Sequence, residues 1–243
     1  MKDNLLDLIE YTHGLGIIDL VKIVGTAQES QIHAIAEDKS VIVSGVTKTP
    51  VADFIGTFGM PNLGKLRTIL GFDVYDQSSE VRMILSNKEG VDVPSAIHFA
   101  TSAGDFVNDY RLMSQAIIEE KVRNVTFKGA TWDVEFEPTI AGIMRLKMQA
   151  QANSEELNFT TKTDNGELKI FFGDPSTHSG NFVFQPGVTG TLTRAWQWPV
   201  RVFLSIMDLP GDKTVRISDQ GAAQITVDSG YTVYEYLLPA QAK

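Results

Sequence analysis

One pattern occurs twice along this 243-residue chain. A short amphipathic helix, a group of strands, a second short helix and a further group of strands follow in that order, and then the series begins again. Leu5, Leu8 and Ile9 correspond to Ile140, Ile143 and Met144 at an offset of 135, and Leu66 and Leu70 to Val202 and Ile206 at an offset of 136. Arg82 corresponds to Arg216 at an offset of 134. A near-constant offset over three elements predicts a duplicated fold. The class is α+β, with two similar domains, each built from two helices backed by antiparallel sheets.

The elements are read from period and punctuation. Leu5, Leu8, Ile9 and Thr12 share a helical face, with Asp3 or Asn4 as cap and Gly14 as stop. Strands are expected at 17–24, 31–36 and 40–46, then a helix from Pro61 or Asn62 to Leu70, then strands at 80–86 and 95–101. In the second half the spacing predicts a strand at 132–136 and a helix over 140–152, with Ile140, Ile143, Leu146 and Ala150 on its apolar face. The run 157–163, Asp164-Asn165-Gly166, 167–172 is a hairpin signature. Strands at 181–185 and 190–198 lead to Pro199, which suits the first position of a helix ending near Met207. Strands at 214–218, 222–227 and 231–238 close the chain. Segment 102–131 is too long for an ordinary loop. Part of it, 107–122, reads as a helix with Tyr110, Met113 and Ile117 on one side. The domain reading is therefore 1–101, a connector at 102–131, and 132–243.

Composition narrows the function. Hydrophobic residues make up 43% and no strictly apolar run exceeds three residues, so a packed core is expected and a membrane-spanning helix is not. The first residues lack a signal peptide's apolar stretch and cleavage site. The absence of cysteine excludes disulfides and thiolate chemistry and agrees with a reducing, cytoplasmic compartment. His13, His33, His98 and His178 are scattered, with no metal-ligand spacing among them. Gly14-Leu15-Gly16 lacks the rest of a dinucleotide fingerprint, and neither a phosphate-binding loop nor a nucleophile elbow is present. The acidic pairs Glu119-Glu120 and Glu155-Glu156 are adjacent residues, which point apart on a helix. No catalytic residue, cofactor or metal is predicted, and the chain reads as a non-enzyme.

The net charge of −9 argues at first against nucleic acid. Its distribution does not. Segment 60–72 carries Lys65 and Arg67, segment 139–151 carries Arg145 and Lys147, and segment 190–207 carries Arg194 and Arg201, all without an acid. These helix-bearing segments hold +6, which leaves −15 on the rest. The first helix departs from the pattern, with Asp3, Asp7 and Glu10 against Lys2. Basic helices in an acidic protein suit phosphate attraction without base readout.

At these residues the chain resembles the ring-shaped DNA polymerase sliding clamps of the proliferating cell nuclear antigen type, and especially those of T4-like bacteriophages. Three stretches carry the resemblance: Phe58-Gly59-Met60-Pro61-Asn62-Leu63-Gly64-Lys65-Leu66-Arg67-Thr68-Ile69-Leu70, the run 199–218 ending Lys213-Thr214-Val215-Arg216-Ile217-Ser218, and Tyr231-Thr232-Val233-Tyr234-Glu235-Tyr236-Leu237-Leu238-Pro239-Ala240. The two-halved plan covers nearly the whole chain; the connector is longer than the family's. The resemblance implies a homotrimeric processivity factor for DNA replication that encircles duplex DNA, tethers the polymerase and is opened by a clamp-loader ATPase. It implies DNA-facing roles for Lys65, Arg67, Arg145, Lys147 and Arg201, with Arg194 a poorer match. It implies client docking at Tyr236, Leu237, Leu238 and Pro239, with Ile117 or Ile118. It further implies a head-to-tail strand contact between 96–100 of one subunit and 181–185 of the next. Two rival readings stand beside it. One is a structural or assembly virion protein with two β-rich domains; the other is a hydrolase with a site built from dispersed Asp, Glu and His.

Overall fold

The computed structural model describes residues 1–88, 90–123 and 129–241. The chain divides into two compact units. The first comprises Met1–Glu37, Ile42–Val125 and Ser229–Tyr234; the second comprises Asp38–Val41, Thr126–Asp228 and Glu235–Lys243.

In the first unit the order is α1 (Lys2–Tyr11), a 3-10 turn at His13–Leu15, β1 (Leu20–Gly25), β2 (Ser30–Ile35), β3 (Ile42–Thr47), β4 (Gly56–Pro61), α2 (Leu63–Leu70), β5 (Glu80–Lys88), β6 (Val91–Ala100), β7 (Val107–Arg111) and α3 (Gln115–Lys121). Strands pair as β4-β1-β2-β3 and as β5-β6-β7, all antiparallel. The second unit runs β8 (Val134–Phe136), α4 (Ile140–Ala152), β9 (Asn158–Asp164), β10 (Glu167–Gly173), β11 (Ser179–Pro186), β12 (Gln197–Pro199), α5 (Val200–Met207), β13 (Asp212–Ser218), β14 (Ala222–Asp228) and the later part of β15 (Thr232–Pro239), whose first three residues belong to the first unit. Its strands pair as β12-β9-β10-β11 and as β15-β14-β13-β8. The arrangement β4-β1-β2-β3 in one unit and β12-β9-β10-β11 in the other is the same, with a helix pair on each: α1 meets α2, and α4 meets α5. The duplication expected from the sequence is present in the topology.

The helices form where the apolar period meets a stop. Leu5, Leu8 and Ile9 are buried on α1, and the Thr12 hydroxyl donates to Leu8 O at 2.6 Å where the helix ends. Asp7 is also buried, and its carboxylate accepts from the Tyr234 hydroxyl at 2.9 Å while Tyr11 stacks on the same ring. Leu63, Leu66, Ile69 and Leu70 bury one face of α2. Thr139 caps α4 by accepting from Gly142 N at 3.0 Å. The β9–β10 turn places Asn165 at φ 50° and Gly166 at φ 77°, the paired positive angles of a two-residue hairpin that a β-branched residue would resist. In the second core Phe159 meets Phe172 and Phe203, Phe184 meets Phe203, and Trp198 Nε1 donates to Thr161 Oγ1 at 2.9 Å.

The structure departs from the sequence reading at definite places. Segment 107–122 is not one helix. Val107–Arg111 is strand β7 on the edge of the β5-β6-β7 sheet, and Tyr110 is buried there with its hydroxyl on Pro61 O. Only Gln115–Lys121 is helical. Gly56–Pro61 is a strand that alternation did not mark. Of the expected strand at 190–198, only Gln197–Pro199 is extended and paired, because residues 193 and 194 turn aside to donate backbone N–H groups to Asp219. The head-to-tail contact expected at 96–100 is overturned, since β6 is already paired with β5 on one side and β7 on the other.

α3 is fastened to the first sheet. Gly59 N donates to Met113 O at 3.0 Å and Met113 N returns a bond to Gly59 O at 2.8 Å. Lys22, buried on β1, donates from Nζ to Val122 O at 3.2 Å, just beyond the helix. Burial lowers the Lys22 pKa, against an upward pull from Glu119. Ile118 is buried over Gly59, where an added Cβ would lie 2.7 Å from its Cδ1. Gly59→Ala is therefore expected to cost about 1–3 kcal/mol through overpacking. Ile118→Ala in the same chain should recover part of that loss, measured by urea unfolding, and non-additivity of the pair is the sign of the contact.

Candidate nucleic-acid interface

Burial of one face of α2 leaves its two cations outward. Leu63, Leu66, Ile69 and Leu70 are buried, whereas Lys65 and Arg67 are exposed and have no ion pair among the described residues. On α5, Val202, Phe203, Ile206 and Met207 face the core and Arg201 is exposed, again with no ion pair among the described residues. Three cations on strands are paired: Arg82 with Glu80 at 2.6 Å, Lys169 with Asp164 at 2.7 Å and Arg216 with Glu135 at 3.1 Å. Exposed cations without a carboxylate partner leave α2 and α5 able to attract an external anion.

α4 presents Arg145 and Lys147. Arg145 is exposed and donates from Nη1 to Val183 O at 3.3 Å, which holds the guanidinium beside β11. Lys147 is paired with Asp208 at 2.5 Å, with both side chains about half exposed. A solvent-exposed pair of this kind is weak, so the Lys147 charge is partly masked and not lost. Lys147 and Arg201 line a cleft of about 390 Å³ between α4 and α5, with Val200, Leu204 and Leu157 at its apolar side.

Arg194 stands apart from these. It lies in the irregular segment before β12, with its guanidinium over Trp196 at 5.9 Å and its backbone N–H on Asp219 at 3.1 Å. Partial burial pushes the Asp219 carboxyl up, but hydrogen bonds from Thr193 and Arg194 and the Arg194 charge hold it below its ordinary value. Arg194 thus belongs to a loop anchor, not to the helix cations.

The residues expected to dock clients divide sharply. Tyr236, Leu238 and Ile118 are core side chains with no surface to offer. Leu237 is half-buried, Pro239 is exposed, and Ile117 is 48% exposed. Among the described residues no group of three or more His, Asp or Glu side chains is placed to hold a metal, and no helix is long and apolar enough to cross a membrane. His98 bonds Asp109 at 2.8 Å, and His33 bonds Gln31 at 3.1 Å.

Two features escaped the sequence reading. Each unit has open sheet edges among the described residues, β7 and β5 in the first and β11 and β12 in the second. An edge is a property of pairing order, and no residue type announces it. The outward face of α4 is also apolar: Ile140 is 83% exposed, Met144 47% and Met148 63%. The apolar face predicted for α4 is rotated from the observed one. Gly142 and Leu146 are its buried positions, Ile143 and Ala150 are half-buried, and Ile140 faces solvent.

No protein-family model and no curated protein sequence matches the chain. Solved structures do. A structure described as the C-terminal region of FEN-1 bound to A. fulgidus PCNA superposes with a TM-score of 0.69 at 11% identity, covering 98% of this chain and 96% of that one. PCNA from Thermococcus kodakaraensis gives 0.61 at 12% identity, covering 99% and 95%. Proliferating Cellular Nuclear Antigen from Entamoeba histolytica gives 0.65 at 14% identity, covering 97% and 94%. At such identities the likeness is one of architecture, and it extends from end to end: this chain has the fold of a PCNA-type sliding clamp.

Proposed function

We propose that the protein is a sliding clamp: a homotrimeric ring that encircles duplex DNA and tethers a replicative DNA polymerase. The observation that carries this reading is the pairing of a clamp fold with exposed cations on α2 and α5 that have no carboxylate partner among the described residues, in a chain whose total charge is −9. A ring that slides needs weak attraction to phosphates on its inner wall and repulsion elsewhere, and retention then comes from topology. Lys65, Arg67, Arg145 and Arg201 are the inner-wall candidates, with Lys147 contributing less because of Asp208. The reading makes the protein a scaffold without catalysis, loaded by an ATPase that opens the ring. By tethering, it raises the polymerase's local concentration at the primer end.

Closure needs head-to-tail contacts, and a heterologous contact closes a ring when its rotation fits. The open edges β7 and β11 supply the strands, so β7 at Val107–Arg111 replaces 96–100 in this role. β11 runs Ser179–Pro186 without a charged residue, which favours pairing over the charge that guards free edges. Clients would dock on the C-terminal tail by way of Leu237 and Pro239, the expected docking residues of the second unit that retain surface. One similar solved structure is described as the C-terminal region of FEN-1 bound to A. fulgidus PCNA, which supports a client-binding role.

The test joins mass and activity. Light scattering should give about 80 kDa, three chains of 26.7 kDa. Extension of a primed circular template by a cognate polymerase and loader should lengthen the products when the protein is added. A stable monomer with no effect on product length would overturn the proposal.

A further inference from the structure

The exposed ridge of α4 is the largest feature of the helix pairs that phosphate attraction leaves unexplained. Ile140, Met144 and Met148 lie at i, i+4 and i+8, on one side of the helix and in solvent. The opposite side, at Gly142 and Leu146, is buried against β11. At 3.6 residues per turn Met144 sits at the centre of the outward face, with Arg145 and Lys147 on opposite flanks. The thirteen residues of α4 include no acid. An apolar ridge with a cation on each flank fits a surface that alternates apolar edges with anions.

We propose that Ile140, Met144 and Met148 form a direct contact surface for duplex DNA, meeting deoxyribose edges while Arg145 and Arg201 meet the flanking phosphates. The inference rests on the DNA-encircling reading above and goes beyond it. Charge complementarity selects the occupant: two cations and no acid on the helix, with Arg201 across the cleft on α5. The ridge spans eight residue steps, about 12 Å. That is close to the major-groove width of about 12 Å, so a ridge of this length reaches from one backbone to the next. Methionine is unbranched and adaptable, and it fits sugar edges without demanding one register. An apolar contact also has no hydrogen-bond partner to exchange at each base-pair step, which suits a surface that moves along DNA. No aromatic side chain belongs to the ridge, as a helix embedded in a lipid surface would usually have.

Methyl-labelled methionine reports the contact in the intact protein. Of the seven methionines, Met60 and Met207 are buried and serve as internal controls. Adding a short blunt duplex at low salt should shift or broaden the Met144 and Met148 methyl signals and leave Met60 and Met207 in place. The variant I140S/M144S/M148S changes only exposed positions, and should bind the duplex about three- to tenfold more weakly at every salt concentration with an unchanged salt slope. If fluorescence anisotropy shows the duplex binding while the Met144 and Met148 methyls stay silent, the ridge is not a DNA contact and the inference fails alone. If no duplex binding is seen at any salt, the DNA reading fails with it. If the two methyls respond to anionic phosphatidylserine vesicles and not to the duplex, the ridge is a lipid-binding surface and the proposal is overturned.

Discussion

Replacing Gly142 with alanine is expected to destabilise the second unit by about 2 kcal/mol, which lowers its melting temperature by roughly 5 °C. Helix propensity alone says the opposite. Gly142 is interior to α4, where alanine is favoured by about 1 kcal/mol. Packing decides the sign. A Cβ at this position would lie 2.4 Å from Phe184 O and 3.2 Å from Thr139 Oγ1. The nearer atom is strand backbone, so no rotamer relieves the clash and α4 must lift from β11. Lifting exposes Leu146, which is fully buried, and breaks the Arg145 bond to Val183 O. Ala152→Gly at the exposed end of the same helix is the control, and there glycine should be the worse residue. Thermal unfolding of both variants checks the pair. A stabilised Gly142→Ala protein would show that α4 does not rest on the strand backbone.

That position also shows where the sequence speaks and where it is silent. Helix faces are readable when only one side is apolar, as in α2, where Leu63, Leu66 and Leu70 mark the core and Lys65 and Arg67 must point out. α4 is apolar on two sides, so Ile140 and Leu146 carry equal weight in a periodic reading and only the glycine at 142 betrays the packed face. The spacing of Tyr110, Met113 and Ile117 fits a helix, yet Tyr110 belongs to β7 and Met113 bridges to Gly59. Both assignments are fixed by partners far along the chain, which local spacing cannot register. β4 escaped notice for the same reason, because Gly59 is required by the approach of Ile118 and leaves no alternation behind. Charge shows the same divide. The acid-free segments are visible in composition, but the ion pair that masks Lys147 joins it to Asp208, and the loop that removes Arg194 from the helix cations is held by Asp219. Hydropathy placed Tyr236 and Leu238 correctly as apolar. Only burial tells that they serve the core and leave Leu237 and Pro239 to the surface.

Reversing three helix cations separates the proposed clamp from a protein that merely shares its fold. The variant K65E/R67E/R201E changes exposed side chains that form no ion pair among the described residues, so each substitution should alter stability by no more than about 0.5 kcal/mol and the melting curve should barely move. The oligomer should persist as well, because none of the three lies on β7 or β11. The electrostatic change is large: the charge of each chain falls from −9 to −15, and the loss is concentrated on α2 and α5. Counterion release scales with the number of phosphates neutralised, at about −0.9 per contact in the log–log salt slope. Removing the contacts should flatten that slope toward zero, and repulsion should stop the ring from residing on DNA at physiological salt. Primer extension on a circular template is then expected to fall to the level seen without the protein, while Arg194→Glu leaves extension unchanged because that guanidinium lies on Trp196. Full extension by the triple variant would sink the assignment of these residues to the DNA wall. A folded trimer that has lost both the salt slope and the extension would tie the function to Lys65, Arg67 and Arg201 on a clamp fold, and would explain how an acidic protein acts on DNA.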